Sequence, residues 1–152
     1  MSLPGARSST RLVAMRIYFS CSITGGRGDQ PVYAALVAHL QAAGHRVLTA
    51  HLASPDLTGQ EGGLEPETVY DRDTAWVREA DVVIAEVSTP SHGVGYEVAY
   101  ALHRAKPVLC LHRREAKVSR MITGCREPGM ACASYGDAEE MCALADGFLA
   151  GV

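Results

Sequence analysis

The segment that most constrains the fold is residues 81–86, where Asp81 is followed by two valines, an isoleucine and an alanine before Glu86. A strand with this near-continuous aliphatic composition is typical of a parallel sheet that is covered on both faces. Because the crossovers in such a sheet are usually helices, strand and helix patterns are expected to alternate along the chain.

The rest of the sequence shows that alternation. Short apolar runs predict four further strands, at residues 16–21, 46–49, 106–111 and 131–135. Apolar residues at helical spacing predict helices between Pro31 and Gly44 and at 68–79, 96–104, 118–123 and 138–149. Residues 54–66 contain glycine and proline without any period and are predicted to be a loop. The pattern predicts an α/β fold with a doubly wound, five-stranded parallel sheet and helices on both faces.

Length, charge and cysteine content narrow the class of protein. The 152 residues suit one domain, which we expect at 15–152 after a flexible tail at 1–14. A net charge of -3 argues against binding to a nucleic-acid polymer or an anionic membrane, and no apolar run approaches the roughly 20 residues of a membrane span. The five cysteines form no C-x-x-C pair, which indicates neither a zinc site nor a disulfide framework and favours a cytoplasmic or nuclear location.

Two glycine-containing junctions follow predicted strands and are expected side by side at the carboxyl edge of the sheet. Backbone N–H groups at such junctions suit a phosphate, and ordinary tight turns are the alternative interpretation. No dinucleotide fingerprint or P-loop motif is present. The candidate residues are Ser22, Gly25 and Gly26 in the first junction and Ser91, Gly93 and Gly95 in the second.

Two carboxylates are candidates for chemistry. Glu97 is predicted in the first turn of its helix, where the helix dipole would hold it ionised, and a simple capping role is the alternative. Asp73 lies near the apolar face of its helix, and with Asp71 it is also compatible with a solvated face. The six histidines show no metal-ligand spacing.

Several segments together resemble the 2'-deoxynucleoside 5'-phosphate N-hydrolases, which are relatives of the nucleoside 2-deoxyribosyltransferases. The similar segments are residues 17–27, Asp73 with Trp76, 80–97, 106–111 and 119–124, in the same order and spacing between 16 and 148. The most specific part is the run Pro-Ser-x-Gly-Val-Gly-Tyr-Glu at 90–97. The sequence departs from the family pattern at Cys21, where glycine is common, and at Thr24, where arginine is common.

The resemblance implies a flavodoxin-like homodimer that cleaves 2'-deoxynucleoside 5'-monophosphates into free base and 2-deoxyribose 5-phosphate, with no metal and no cofactor. It implies that Glu97 is the nucleophile, that Asp73 is its partner carboxylate and that Tyr18 lines the sugar site. Ser119 is implied to bind the phosphate from the second subunit. The full set of implied substrate contacts is Ser22, Ile23, Gly25, Gly26, Ser91, Gly93, Gly95, Ser119 and Met121.

Two other functions fit the same residues. A deoxyribosyltransferase would use the same covalent sugar and pass it to a second base instead of to water. A nucleotide sensor would bind the same ligand without turnover. Replacing Glu97 with alanine would abolish catalysis in either enzyme and would alter only binding in a sensor.

Overall fold

The computed structural model describes residues 13–23, 28–57 and 61–152. Its strands are β1 (Arg16–Ser20), β2 (Arg46–Val47), β3 (Val82–Glu86), β4 (Val108–Arg113) and β5 (Met130–Tyr135). Its helices are α1 (Gln30–Ala42), α2 (Pro66–Glu79), α3 (His92–His103), α4 (Arg120–Thr123) and α5 (Ala138–Leu149), and a 3-10 turn spans Ala50–Ala53. The predicted elements are therefore confirmed in type and order, and the bounds of α5 agree with the prediction residue for residue.

The five strands form one parallel sheet in the order β2-β1-β3-β4-β5. The strand order reverses between β1 and β3, and ligands bind at this kind of switch point in doubly wound sheets. The predicted α/β fold, with helices on both faces of a five-stranded sheet, is confirmed.

Two apolar clusters hold the helices on the sheet. On one face, α1 and α5 pack through residues such as Leu36, Leu40 and Met141. On the other face, α2 and α3 pack through residues such as Val77 and Val98. Since side chains alternate along a strand, β1 sends Tyr18 to the α2/α3 face and its neighbours Ile17 and Phe19 to the α1/α5 face. The buried Cys110 belongs to the α2/α3 cluster, as predicted for an apolar thiol.

The face opposite Tyr18 carries a buried polar network at the end of β3. Glu86 is fully buried and accepts hydrogen bonds from the hydroxyls of Ser88 and Tyr135, the latter at 2.9 Å. The Arg113 guanidinium forms an ion pair with Asp29 in the same region. Burial raises the pKa of Glu86 above its usual value, and the hydrogen bonds of Ser88 and Tyr135 oppose that rise. These hydrogen bonds give the buried Glu86 carboxyl group polar partners within the apolar core.

Several predicted boundaries differ from the structure by one or two residues, and two predictions were wrong by more than that. Helix α3 was predicted to begin at Tyr96 but begins at His92, because Ser91 Oγ accepts a hydrogen bond from the Val94 N–H and caps the helix. Gly93 and Gly95 therefore lie in the helix and not in a loop. The stretch 54–66 was predicted to be loop, but Leu57 and Glu61 have helical backbone and Pro66 starts α2. Leu57 is buried in the core, and this tertiary packing is absent from the local pattern.

Candidate active site

Glu97 is the central side chain of the candidate site. Helix α3 brings it over the end of β1, where the Tyr18 hydroxyl donates to Oε1 at 2.8 Å and the Ser20 hydroxyl donates to Oε2. Tyr18 and Ser20 are both fully buried and point to the same face because they are two residues apart in a strand. Each carboxylate oxygen of Glu97 is therefore held by its own hydroxyl donor.

The position of Glu97 in α3 differs from the predicted one, and the predicted cause of its ionisation was therefore wrong. It is the sixth residue of α3 and not part of the first turn, so neither the predicted dipole stabilisation nor a capping role applies. Burial raises the pKa of Glu97 above its usual value, while the hydrogen bonds of Ser20 and Tyr18 lower it. Burial also raises the pKa of Tyr18, and the charge of Glu97 adds to that effect. Tyr18 therefore remains a protonated donor.

Asp73 lies on α2, close enough to Glu97 and Tyr18 for its charge to raise the pKa of both groups. Its side chain is only 15% exposed, so the alternative of a solvated helix face is wrong for Asp73 and holds for the exposed Asp71. Burial raises the pKa of Asp73, and the hydrogen bond and charge of Arg72 oppose the rise. The site thus contains two carboxyl groups that both favour the protonated form more than free carboxyl groups do.

Arg72 connects Asp73 to residues that precede α2. Its Nε donates to Asp73 Oδ1 at 2.8 Å, and its two terminal nitrogens donate to Glu61 Oε1 and Oε2 at 2.9 and 3.0 Å. His51 Nε2 lies 3.0 Å from Glu61 Oε1. The rings of His51 and Trp76 are 5.5 Å apart, and the Arg72 guanidinium lies 4.9 Å from the centre of the Trp76 ring. An aromatic and charged wall therefore flanks the carboxylates.

A cavity of about 950 Å³ lies between α3 and residues 117–127. Ser91, Gly95 and Ser119 line it, as does Met121, which is 83% exposed. Its wall also contains the cations Lys117, Arg120 and Arg126, and Glu127 is the one acidic residue among the described residues that line it. Glu97, Asp73 and Tyr18 do not line this cavity. Its α3 side runs from His92 to His103 and includes Gly95 and Val98 but not Glu97, whose carboxylate points instead to Tyr18 and Ser20 of β1. This serine-lined cavity and the Glu97 carboxylate therefore lie on different sides of α3.

The remaining predicted substrate contacts lie in different surroundings. Ser22 is fully buried two residues after the end of β1, and among the described residues no group forms a hydrogen bond with its Oγ. Ile23 is half-buried and packs against the α1/α5 core. Gly93 is exposed in the first turn of α3. Gly25 and Gly26, like Thr24, lie outside the described residues. The substrate roles of all these residues stay predictions.

Three residues of the site were missed by the sequence reasoning. Ser20 could have been found, because a polar residue two positions after Tyr18 in a strand shares its face. Arg72 and Glu61 offered no such signal, since they are eleven positions apart and Glu61 lies in the stretch 54–66 that was predicted to be loop. Within residues 13–23, 28–57 and 61–152, no group of three or more metal-ligating side chains occurs, and no helix is long and apolar enough to cross a membrane.

Comparison with known proteins gives a consistent set of relatives. A family model described as nucleoside 2-deoxyribosyltransferase matches residues 17–142. A 5-hydroxymethyl-dUMP N-hydrolase of Mus musculus is 45% identical over 121 residues, which cover 77% of this chain and 69% of the relative. A putative 2'-deoxynucleoside 5'-phosphate N-hydrolase 1 of Thermofilum pendens is 39% identical over 139 residues, covering 90% of this chain and 96% of the relative.

Two solved structures share the fold at low sequence identity. A CMP N-glycosidase of Clostridium botulinum superposes with a TM-score of 0.67 at 17% identity, covering 88% of this chain and 98% of that chain. A 2-deoxyribosyltransferase of Bacillus psychrosaccharolyticus superposes with a TM-score of 0.59 at 18% identity, covering 84% and 90% of the two chains. At these identities the likeness concerns the fold alone.

Proposed function

The chain belongs to the nucleoside 2-deoxyribosyltransferase family, and from this premise we propose that it hydrolyses the N-glycosidic bond of 2'-deoxynucleoside 5'-monophosphates. The products are the free base and 2-deoxyribose 5-phosphate. The observation that carries the proposal is the buried Glu97 carboxylate, which is held by two hydroxyl donors and accompanied by a second buried carboxyl group, Asp73. The relatives at 39–45% identity are named as nucleotide N-hydrolases, which favours water as the acceptor.

The first step forms a covalent sugar. As the bond between C1' and the base breaks, positive charge develops at C1', and an Oε atom of Glu97 stabilises this charge and then bonds to C1' as a glycosyl ester. The leaving base takes the bonding electron pair and receives a proton from the Asp73 carboxyl. The raised pKa of Asp73 suits this role, because it increases the fraction of protonated acid near neutral pH.

The second step releases the sugar phosphate. The Asp73 carboxylate accepts a proton from water while the water oxygen bonds to C1' and the ester bond to Glu97 breaks with its electron pair. Both carboxyl groups return to their starting states. Tyr18 and Ser20 hold Glu97 in place throughout, which keeps the attacking oxygen aligned with C1'.

The end of the serine-lined cavity at Ser91, where α3 begins, is the proposed location of the 5'-phosphate. Ser91 and the N-terminal end of α3 offer hydroxyl and backbone N–H donors, and the positive end of the helix dipole attracts an anion. Ser22 provides a further buried hydroxyl at the end of β1. Gly93 and Gly95 leave space for close approach, because a Cβ at Gly95 meets nothing within 4 Å and one at Gly93 meets only Ser91 Oγ at 3.8 Å.

We further propose a homodimer in which the second copy covers this cavity. The exposed Met121 and the half-buried Val118 and Ile122 give the cavity an apolar wall, and Ser119 stands exposed at the start of α4. A second subunit that buries this wall would bring its own Ser119 to the phosphate. Light scattering after size-exclusion chromatography should give twice the 16.2 kDa chain mass, and a monomer at micromolar concentration would contradict the proposal.

The decisive assay separates hydrolysis from its alternatives. The protein is incubated with dGMP, dAMP, dCMP, dTMP and 5-hydroxymethyl-dUMP, and free base and 2-deoxyribose 5-phosphate are quantified by chromatography. At least one deoxynucleotide should be cleaved while its nucleoside and ribonucleotide counterparts are not, and Glu97→Ala should abolish release. Intact substrates after long incubation would overturn the proposal. Formation of a new nucleotide in a mixture with a second free base would instead identify a transferase, which the family model's description favours as the second candidate.

A further inference from the structure

The ion pairs around Arg72 differ from ordinary surface ion pairs. The side chains of Arg72, Glu61 and Asp73 are 23%, 12% and 15% exposed, so all three are largely shielded from water. Arg72 binds Glu61 through two parallel hydrogen bonds and uses its remaining Nε–H for Asp73. Fork-like geometry of this kind fixes the orientation of a guanidinium, whereas a lysine ammonium would provide only a point charge.

One guanidinium therefore serves two carboxylates that face it from different parts of the chain. Glu61 precedes α2 and is also hydrogen bonded by His51, whereas Asp73 lies within α2 beside Arg72. Burial opposes the ionisation of Glu61, but its bonds to Arg72 and His51 lower its pKa overall. Glu61 therefore stays ionised and competes with Asp73 for the positive charge of Arg72.

We propose that Arg72 is the positioning residue of Asp73 and that Glu61 tunes Asp73 by sharing this guanidinium. The inference rests on the proposed function, in which Asp73 exchanges a proton with the leaving base and with water. The Arg72 Nε–H fixes one oxygen of Asp73 and leaves the other available for proton exchange. The negative charge of Glu61 offsets part of the effect of the Arg72 charge on Asp73. Asp73 therefore keeps the proton affinity that a general acid requires.

The groups that face Asp73 determine the sign of each expected change. Arg72 and His51 favour its ionised form, whereas the charge of Glu61 disfavours it. Tyr18 and Glu97 face Asp73 from β1 and α3. Because Asp73 must be protonated in the first step, kcat/KM falls as the pH rises through its pKa. Because Glu97 must be ionised, kcat/KM falls as the pH drops through the pKa of Glu97.

The test compares pH profiles of kcat/KM for wild type, Arg72→Gln and Glu61→Gln, with the deoxynucleotide that wild type cleaves fastest among dGMP, dAMP, dCMP, dTMP and 5-hydroxymethyl-dUMP. Loss of the Arg72 charge should move the alkaline limb to higher pH by roughly one unit, with a smaller shift of the acid limb in the same direction because Arg72 also lowers the pKa of Glu97. Loss of the Glu61 charge should move the alkaline limb to lower pH. A structural role alone would change the melting temperature and leave both limbs in place.

Arg72→Lys keeps the positive charge but cannot make the three hydrogen bonds of the planar guanidinium, and it serves as the conservative variant. It should show a smaller shift of the alkaline limb than Arg72→Gln together with a lower kcat and little change in KM. If Arg72→Gln does not fold, Glu61→Gln and Arg72→Lys decide the question by the directions given above. Limbs that stay in place, or that move in the same direction for Arg72→Gln and Glu61→Gln, would overturn the inference. Absence of base release by wild type would instead contradict the proposed function.

Discussion

The Tyr18 hydroxyl donates a 2.8 Å hydrogen bond to Glu97 Oε1, which joins two residues that are 79 positions apart in the chain. Tyr18 is fully buried in a central strand, and Glu97 lies in the helix that crosses over the end of that strand. The position of the candidate nucleophile is therefore tied to the rigid centre of the sheet and does not depend on a loop. In the proposed reaction, this arrangement keeps the Glu97 carboxylate at a constant distance from the sugar.

Removal of the Tyr18 hydroxyl is expected to slow catalysis without unfolding the protein. A hydrogen bond to a charged group contributes about 1.5–3 kcal/mol, so Tyr18→Phe should lower kcat by about 10- to 100-fold with a small change in KM. Tyr33→Phe is the matched control, because Tyr33 is equally buried but belongs to the α1/α5 face. Steady-state kinetics measure both variants, and an equal loss of kcat in the two would contradict a specific role for Tyr18.

Ser20→Ala tests the second hydroxyl through the pH dependence of activity. Ser20 donates to the ionised form of Glu97, so its loss should raise the already elevated pKa of Glu97 further. The acid limb of kcat/KM should therefore move to higher pH. Ser88→Ala is the control, since Ser88 makes the corresponding bond to the buried Glu86 on the other face of the sheet. A shifted acid limb in Ser88→Ala, or an unshifted one in Ser20→Ala, would refute this assignment.

Most of the fold followed from local hydrophobic pattern. The aliphatic run at 82–85 and the helical period at 138–149 predict β3 and α5, because burial on both faces of a strand or on one face of a helix produces these patterns. The start of α3 could not be predicted from this pattern, because two glycines in its first turns suggested a loop. Packing of Val94 and Val98 on the sheet and the cap from Ser91 outweigh the helix propensity lost at those glycines, which is about 1 kcal/mol each.

The site was predictable where its residues carry a motif or a strand period. Tyr18 and Glu97 were placed correctly at neighbouring elements, since parallel strands bring their carboxyl ends to one edge. The contact between Arg72 and Glu61 was not predictable, because it depends on how the chain before α2 folds back. The influences on the pKa of Glu97 were also misjudged, since burial raises it and the hydrogen bonds of Ser20 and Tyr18 lower it, whereas the sequence argument relied on proximity to the helix terminus.

Glu97→Gln is expected to remove activity and to raise the stability of the protein at high pH only. The folded protein raises the pKa of Glu97, so between its unfolded and folded pKa values the native state binds more protons than the unfolded state. The contribution of Glu97 to stability is therefore fully present below the unfolded pKa and is lost as the pH rises through the folded pKa. The uncharged glutamine avoids that loss, so the variant should melt at a higher temperature than wild type at pH 8 but not at pH 4.

Scanning calorimetry at the two pH values tests this expectation, and base release confirms that the variant is inactive. Asp71→Asn provides the control, because it removes a carboxylate of the same region that is exposed. The difference in melting temperature between pH 8 and pH 4 should change in Glu97→Gln and stay near the wild-type value in Asp71→Asn. An unchanged difference in Glu97→Gln would show that burial does not perturb Glu97.

Gly95→Ala should raise stability and weaken nucleotide binding at the same time. A Cβ at Gly95 meets nothing within 4 Å, so the substitution gains helix propensity of about 1 kcal/mol and a melting temperature about 2–4 °C higher. The added methyl group enters the serine-lined cavity, so KM for the deoxynucleotide should rise several-fold. Gly147→Ala is the matched control, because Gly147 is an equally unobstructed glycine in α5 and does not line that cavity. An unchanged KM in Gly95→Ala would contradict a phosphate at this position.

Subunit mixing tests whether Ser119 acts on the partner's phosphate. Ser119→Asp keeps a good capping residue at the start of α4 but sets a carboxylate against the phosphate, so this variant should be nearly inactive. Glu97→Ala should also be inactive, because it lacks the proposed nucleophile. If Ser119 acts across the interface, a mixed dimer contains one site with an intact Glu97 and an intact Ser119. Re-forming dimers from an equal mixture should then restore about a quarter of wild-type activity, because half of the dimers are mixed and each has one intact site. If Ser119 acts within its own chain, every site of the mixed dimer lacks one of the two residues, and mixing restores nothing.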